Sequence, residues 1–247
     1  MRRAVVLAGG EGVRLRPYTA VIPKPLMPVK DRPVLDIVLR QLRRAGVEHV
    51  TIATGYLAEL IEAFCGDGSS YGLRISYFRE RVPLGTVGAL RLIEDLDDSF
   101  LVMNGDILTD MSYEALMADH RESDAAATIA TTSRTIEVSL GVMHFQDVGD
   151  DRRVTDYTEK PTLYYEASMG IYAFHPRVLE HIEPEVRLDF PDLILRLIDA
   201  GEEVRAHRPD AYWLDLGRHD DYERAMQEFD RVRHRLLGEE TGQAAER

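Results

Sequence analysis

The chain has 247 residues, 45% of them apolar, enough for one large buried core or two small ones. A formal net charge of −13 excludes a broad basic footprint for nucleic acid or an anionic membrane. A lone cysteine, Cys65, excludes an internal disulfide and any C-x-x-C metal site, and points to a cytoplasmic protein.

The opening "MRRAVVLAGG" superficially resembles a secretory leader. Its apolar run, Ala4 to Ala8, falls short of the ~7–15 residues a leader core needs, and no segment approaches the ~18 of a membrane span. It reads as a buried strand. Further short apolar runs follow in "HVTIATGY", "LRISYF" and "SFLVMNGD", each next to a stretch of helical period, which predicts an α/β fold with a doubly wound, mainly parallel sheet. In "VLDIVLRQLRRAG", Val34, Leu35, Val38, Leu39 and Leu42 share one helical face, with Pro33 at the entry and Gly46 as the stop. "TVGALRLIEDL" and "YEALMADHRES" are predicted as later crossover helices.

Beyond about residue 125 the pattern changes to longer strands and hairpins: "AAATIATT", "SLGVMHFQ" and "SMGIYAF", separated by turn-rich "DVGDDRR" and "TEKPT". "FPDLILRLIDAG" resumes a helix that stops at Gly201, "YWLDLGRHDDY" is a strand entering a loop, and most of the remainder is helical. The polar end, 238–247, is expected to be a flexible tail. No internal repeat or dividing linker is visible, so residues 1–237 are expected to form one domain.

Five stretches carry candidate chemistry. In "LAGGEGVRLRPYTAVIPKPL", Gly9, Gly10 and Gly12 follow a strand, so backbone N–H groups can approach an anion without a Cβ in the way. Neither the dinucleotide G-x-G-x-x-G nor the P-loop G-K-[ST] is present, and a glycine-rich turn with solvated arginines reads equally well on the glycines alone. Pro23 and Pro25 tip the balance by restricting the backbone on both sides of Lys24. In "VMNGDIL", Asp106 stands just past a strand, where ligands of open α/β sheets bind and a carboxylate suits Mg²⁺. A lone Asp there is otherwise a turn or capping residue. "YWLDLG" offers a second carboxylate, Asp215, at another strand end. "PLGTVGAL" places Gly85 and Gly88 around Thr86, which opens the backbone to a flat ligand or forms an ordinary turn. Glu159 and Lys160 in "YTEKPT" read, by themselves, as two solvated charges.

Other signals are set aside. "GSSYG" matches G-x-S-x-G around Ser70, but a polar loop precedes the strand where a hydrolase elbow needs strand, turn and then helix. No H-E-x-x-H pair supports zinc hydrolysis.

Taken in order, "LAGGEGVRLRPYTAVIPKPLMPV", "GTVGAL", "NGD", "EKP", "MGIY" and "WLDLG" resemble the sugar-1-phosphate nucleotidyltransferases, the nucleotide-sugar pyrophosphorylases, over residues 1 to 220 or so. The resemblance implies a Rossmann-like single domain of the nucleotide-diphospho-sugar transferase type. Its nucleotide-binding half would cover about 1–110, its sugar-phosphate half 111–220 and a C-terminal helix 221–237. It implies transfer of a nucleotidyl group from an NTP to a sugar 1-phosphate, with Mg²⁺ as cofactor and no nucleic-acid or membrane partner; a homo-oligomer is compatible with it.

By matching position, Leu7, Ala8, Gly9, Gly10 and Gly12 would line the nucleotide, Arg14 would grip the leaving phosphates, and Lys24 would neutralise charge at the α-phosphate. Gly85, Thr86 and Gly88 resemble the base-facing loop, and Asp106 and Asp215 the metal pair. Asn104, Gly105, Gly141, Glu159, Lys160 and Gly170 resemble the sugar-phosphate side. Arg14, Lys24 and Asp106 are thus the expected catalytic residues.

"PLGTVGAL" resembles guanylyltransferases and some relatives using other bases, and GTP with a mannose- or heptose-type phosphate is the first expectation. UTP or dTTP with glucose 1-phosphate, a phosphorylated alcohol as acceptor, and a non-catalytic nucleotide-sugar-binding subunit remain alternatives. Val13 stands where a hydroxyl residue is usual, and Ser168 where Asn is common, which bears on substrate choice. The appended β-helix of some relatives is not expected. Chemically, a phosphate oxygen is already ionised at neutral pH and needs no side-chain base, which fits the lack of a catalytic His or Ser.

Overall fold

Strand β1 (Arg3–Ala8) is the centre from which the fold is built. In the computed structural model, which describes residues 2–80 and 82–238, it is followed by a small ribbon of β2 (Pro28–Val29) and β3 (Arg32–Pro33) and by α1 (Val34–Arg44). Then come β4 (His49–Thr54), α2 (Ala58–Cys65), β5 (Arg74–Arg79), β6 (Phe100–Asn104), β7 (Ile107–Thr109) and α3 (Tyr113–Glu122). The second half contains β8 (Ala127–Glu137), β9 (Val142–Val148), β10 (Asp151–Thr158) and β11 (Thr162–Phe174). It closes with α4 (Phe190–Asp199), β12 (Val204–His207), β13 (Trp213–Asp215) and α5 (His219–Leu237). The tail expected over 238–247 lies outside the described residues, apart from Gly238.

Seven strands form the main sheet in the order β12-β8-β11-β6-β1-β4-β5. β1 pairs in parallel with both β4 and β6, while β11 runs antiparallel to both its neighbours, β6 and β8. The sheet is mixed and mainly parallel, as the alternation of strands and helices predicts. The chain moves from β1 outward to β4 and β5, then returns to β6 on the other side of β1. That reversal opens a crevice at the carboxyl ends of β1 and β6, where the connections leave in opposite directions.

The alternation along β1 explains the layers. Ala4, Val6 and Ala8 face a core shared with α1, α3 and α5; Val5 faces a second core with α4. Apolar side chains on both faces are the mark of a strand buried between helical layers.

One predicted helix is largely missing. "TVGALRLIEDL" forms only a 3-10 turn over Gly88–Leu92. The Glu94 and Asp95 carbonyls, which a continuing helix would use, instead accept hydrogen bonds from the Arg3 guanidinium at 2.9 and 3.1 Å, and Asp95 takes a positive φ of 60°.

The second half carries an arm. The pairing of β8 with β11 continues past the sheet as far as Glu137 opposite Thr162, and β9 and β10 form a separate hairpin beyond it. Directly opposed residues share a face, so Ile136, Leu163 and Tyr165 make one apolar stripe. A bulge between Val154 and Asp156 aligns Met143, Phe145, Val154 and Tyr157 into another. All seven side chains are exposed.

Candidate active site

The strand ends bring the opening loop and Asp106 together. Leu7 is in register with Asn104, and the Gly105 N–H donates to the Leu7 carbonyl at 2.9 Å. A Cβ on Gly105 would stand 3.1 Å from that oxygen, so glycine keeps the two ends close. Past β1, Gly12 adopts φ 62° and leads into a 3-10 turn pinned by buried Leu15; the Thr19 hydroxyl donates to the Gly12 carbonyl at 2.8 Å. The loop turns back through two more 3-10 turns, Tyr18–Ala20 and Lys24–Leu26, and in the last of them Pro23 and Pro25 flank Lys24 and hold it in place.

Lys24 is the electrostatic centre. Its ammonium hydrogen-bonds the Asp106 carboxylate and lies 3.7 Å from Asp215. Asp215 arrives because β13 pairs antiparallel with β7, which sets it opposite Ile107, next to Asp106; the Leu216 N–H donates to the Asp106 carbonyl at 3.2 Å. Burial, and then the neighbouring Asp106 charge, raise the Asp215 carboxyl above the usual carboxylate range, while Lys24 and Arg14 oppose the shift. The Arg14 guanidinium and both Asp215 oxygens lie within 3.2–3.3 Å of where a Gly217 Cβ would stand. Four charged side chains from three distant segments thus meet at one point.

From there a cleft of about 500 Å³ runs along the carboxyl edge of the sheet. Leu7, Ala8, Gly9, Gly10, Gly12, Arg14, Lys24, Gly85, Thr86, Asn104 and Asp106 line it, as does Val13. At its far end, Gly85 has φ 77°, and a Cβ there would collide with the Leu188 carbonyl. The loop is zipped to the start of α4: the Thr86 N–H donates to Asp189 at 3.0 Å, and the Phe190 N–H donates to the Thr86 hydroxyl at 2.8 Å.

Other expected residues take different places. Gly88 packs with its Cα toward the Val186 carbonyl, outside the cleft. Gly170, at φ 72°, lies against the Asn104 amide, 2.7 Å from where its Cβ would be. Ser168, two residues earlier, donates to the Tyr172 hydroxyl at 3.0 Å and accepts the Gly170 N–H at 3.2 Å. Gly141, Glu159 and Lys160 are not brought to the cleft. Gly141 sits under the Tyr157 ring in the arm, and the Glu159 and Lys160 side chains are 60% and 66% exposed.

The cleft also contains residues that sequence reasoning missed. Glu80, Pro83, Arg187 and Asp189 line the end near Gly85. The Glu80 carboxyl is raised by burial and accepts the Leu84 N–H at 3.3 Å. In "YFRERV" it looks like one more solvated charge, and no local signal distinguishes it. Asp189 was legible as a helix-capping residue in "LDFPDL", though its carboxylate is spent on Thr86. Among the described residues there is no group of three or more acidic, His or Cys side chains able to hold a metal; Asp106 and Asp215 are two carboxylates only. Two carboxylates suit Mg²⁺, which completes its octahedron with water and phosphate oxygens.

The family model "Nucleotidyl transferase" matches residues 3–231, and the chain belongs to that family. It is 34% identical over 244 residues to a UTP–glucose-1-phosphate uridylyltransferase of Synechocystis, covering 91% of this chain and 62% of the relative. It is 34% identical over 232 residues to a mannose-1-phosphate guanylyltransferase of Mycobacterium tuberculosis, covering 90% and 62%. The chain therefore spans about 62% of the length of these curated relatives. Among solved structures, HddC from Yersinia pseudotuberculosis superposes with a TM-score of 0.70 at 26% identity, over 93% of this chain and 100% of the other. A glucose-1-phosphate thymidylyltransferase from Bacillus anthracis superposes with a TM-score of 0.74 at 23% identity, over 98% of each chain, a likeness of fold. Among the described residues, no helix is long and apolar enough to cross a membrane.

Proposed function

We propose that the protein transfers a nucleotidyl group from an NTP to a sugar 1-phosphate. A sugar-phosphate oxygen attacks the α-phosphorus, the new O–P bond forms as the bond to the β-phosphate oxygen breaks, and pyrophosphate leaves with its electron pair. The observation that carries this reading is the meeting of Lys24, Asp106, Asp215 and Arg14 at one end of a glycine-lined cleft. Family membership supports it independently.

The chemistry asks for position and charge. Two anions must approach in line, and each repels the other. Gly9, Gly10 and Gly12 leave room for phosphate oxygens beside the β1 end, and Arg14 would hold the departing β,γ-phosphates. Lys24, restrained by its prolines, would offset charge developing around the α-phosphate. Asp106 and Asp215 would hold Mg²⁺, which when bound supplies charge neutralisation across the phosphates. The raised Asp215 carboxyl fits such a role, since burial and the neighbouring Asp106 charge both disfavour its ionised form and a bound cation would favour it. No side chain needs to take a proton, because the attacking oxygen carries none at neutral pH.

For the base, GTP is the proposed donor. Glu80, half-buried at the Gly85 end, supplies a carboxylate whose two oxygens match the adjacent N1–H and N2–H donors of guanine. Uracil and thymine offer one such donor. For the sugar, a mannose- or heptose-type 1-phosphate is the first choice.

The test incubates the purified chain with Mg²⁺, each of GTP, UTP, dTTP, ATP and CTP, and a panel of sugar 1-phosphates, following pyrophosphate. Release with GTP above the other nucleotides is expected. UTP or dTTP as the best donor would overturn the base assignment, and silence across the panel would overturn the activity.

A further inference from the structure

We propose that Arg187 is a specificity-determining residue for the nucleobase: its guanidinium donates to the O6 and N7 acceptors of guanine, on the edge next to the one that meets Glu80. The inference rests on the GTP reading given above, and adds to it the residue that tells guanine from other bases.

The backbone explains why Arg187 faces the cleft. The Leu188 N–H donates to the Leu84 carbonyl at 2.9 Å, and the Leu188 carbonyl accepts the Val87 N–H at 3.1 Å. Leu188 thus lies along the 84–87 loop as a strand residue lies along its neighbour, and its side chain is buried in the core shared with α4. Asp189, which follows, is extended at φ −102° and ψ 159°. Side chains alternate along extended chain, so Arg187 and Asp189, on either side of buried Leu188, both line the cleft.

Charge divides that cleft. Among the described residues that line it, the cations are Arg14, Lys24 and Arg187. Lys24 hydrogen-bonds Asp106, and Arg14 and Asp215 meet beside Gly217, so both of these cations belong to the phosphate end. Arg187 belongs to the Gly85 end, where the Leu188 carbonyl presses on that glycine.

The guanidinium is aimed without being sequestered. Its Nη2 donates to Asp189 Oδ2 at 3.3 Å, while Asp189 Oδ1 accepts the Thr86 N–H at 3.0 Å. One carboxylate therefore ties Arg187 to the base-facing loop. The Arg187 side chain is 69% exposed, and an ion pair in that setting contributes little, so a ligand can take its place. The remaining N–H donors of the planar fork are open to a ligand in any case.

The chemistry of the base selects the partner. Once Glu80 accepts N1–H and N2–H, guanine is left with O6 and N7, two acceptors side by side on the adjoining edge. Arginine matches that pair with two parallel N–H donors. Adenine turns an amine donor toward the same fork at position 6, so donor faces donor. Uracil and thymine have no N7.

Two analogues each delete one contact: 7-deaza-GTP lacks N7, and ITP lacks the N2 amine. In steady-state assays with Mg²⁺ and the best sugar 1-phosphate, the wild type should show a KM about tenfold higher for either analogue than for GTP, with kcat little changed. Arg187→Ala, and Arg187→Lys, which keeps the charge and loses the fork, should give equal KM values for GTP and 7-deaza-GTP while the ITP penalty stays. Glu80→Gln should reverse the pattern. An Arg187 that merely orders the loop would raise both KM values in parallel and leave their ratio at the wild-type value. That outcome overturns the proposal, as does a wild type that uses 7-deaza-GTP as well as GTP. A wild type that prefers UTP or dTTP would instead fault the base assignment, and one inactive on every substrate the transferase reading; in either case this proposal falls with it.

Discussion

Strand β11 belongs to two different environments. From Met169 to Phe174 it is buried, paired with β6 and β8, and its Phe174 ring meets Phe100 edge-on at 6.0 Å. From Thr162 to Glu166 the same strand is exposed on a two-stranded arm. The cleft follows the first half. Its residues sit on sheet ends held by the core, so a charge cluster such as Lys24, Asp106 and Asp215 is set before any ligand arrives. Gly141, Glu159 and Lys160 follow the second half, on an arm that the β8–β11 ladder holds outside the lining of the cleft. The residues proposed to meet the nucleotide thus sit on core-held sheet ends, as do Asn104, Gly105 and Gly170, whereas Gly141, Glu159 and Lys160 stand on the exposed arm.

The contrast can be broken in several ways. Phe100→Ala in the buried half should cost about 3–5 kcal/mol of stability, read by urea denaturation, because the cavity opens between packed rings. A loss under 1 kcal/mol would contradict the rigid core assigned to this half. Asp106→Asn should lower kcat at least 100-fold, about 3 kcal/mol, with a nearly unchanged Tm. Asp147→Asn in the arm hairpin, 82% exposed, should change kcat less than twofold. Equal effects at the two positions would erase the distinction. Gly85→Ala should raise the KM for NTP about tenfold, since the positive φ and the Leu188 carbonyl force the loop to move. An unchanged KM would detach this loop from the nucleotide.

The mildest effect concerns pH. Burial, then the Arg3 and Arg74 guanidinium groups, hold the His49 ring at about 4; its Nδ1 faces both guanidinium groups and its Nε2 meets the Ser76 hydroxyl at 2.8 Å. Unfolded, the ring binds a proton near 6.5. Between these values the unfolded chain holds more protons, so stability falls as pH drops from about 6.5 toward 4. The urea midpoint should be lower at pH 5 than at pH 7. His120, also held at about 4 by burial, adds in the same direction. An equal midpoint at both pH values would contradict the neutral rings.

The parallel half was legible because its signals are local. An apolar run ending in glycines makes β1, and Pro33 and Gly46 bracket α1. The opening loop could be read as a candidate anion site because proline restricts its backbone and glycine leaves no Cβ in the way. The meeting of Asp106 with Asp215 could not be read from spacing, because it depends on β13 pairing with β7 across more than a hundred residues. Glu80 was hidden for a related reason: the cleft it lines is completed by Arg187 and Asp189, more than a hundred residues away. The missing helix after Gly88 reflects competition by Arg3, whose side chain takes the carbonyls that local periodicity would have assigned to helix.

The most direct measurement is calorimetric titration of GTP with Mg²⁺ into the wild type, Arg14→Ala and Asp106→Asn. Saturable binding at one site per chain, weakened at least tenfold by either substitution, is the predicted result. Binding of equal strength in all three proteins would mean that the charges gathered at the β1 and β6 ends do not hold the nucleotide, and would contradict the account.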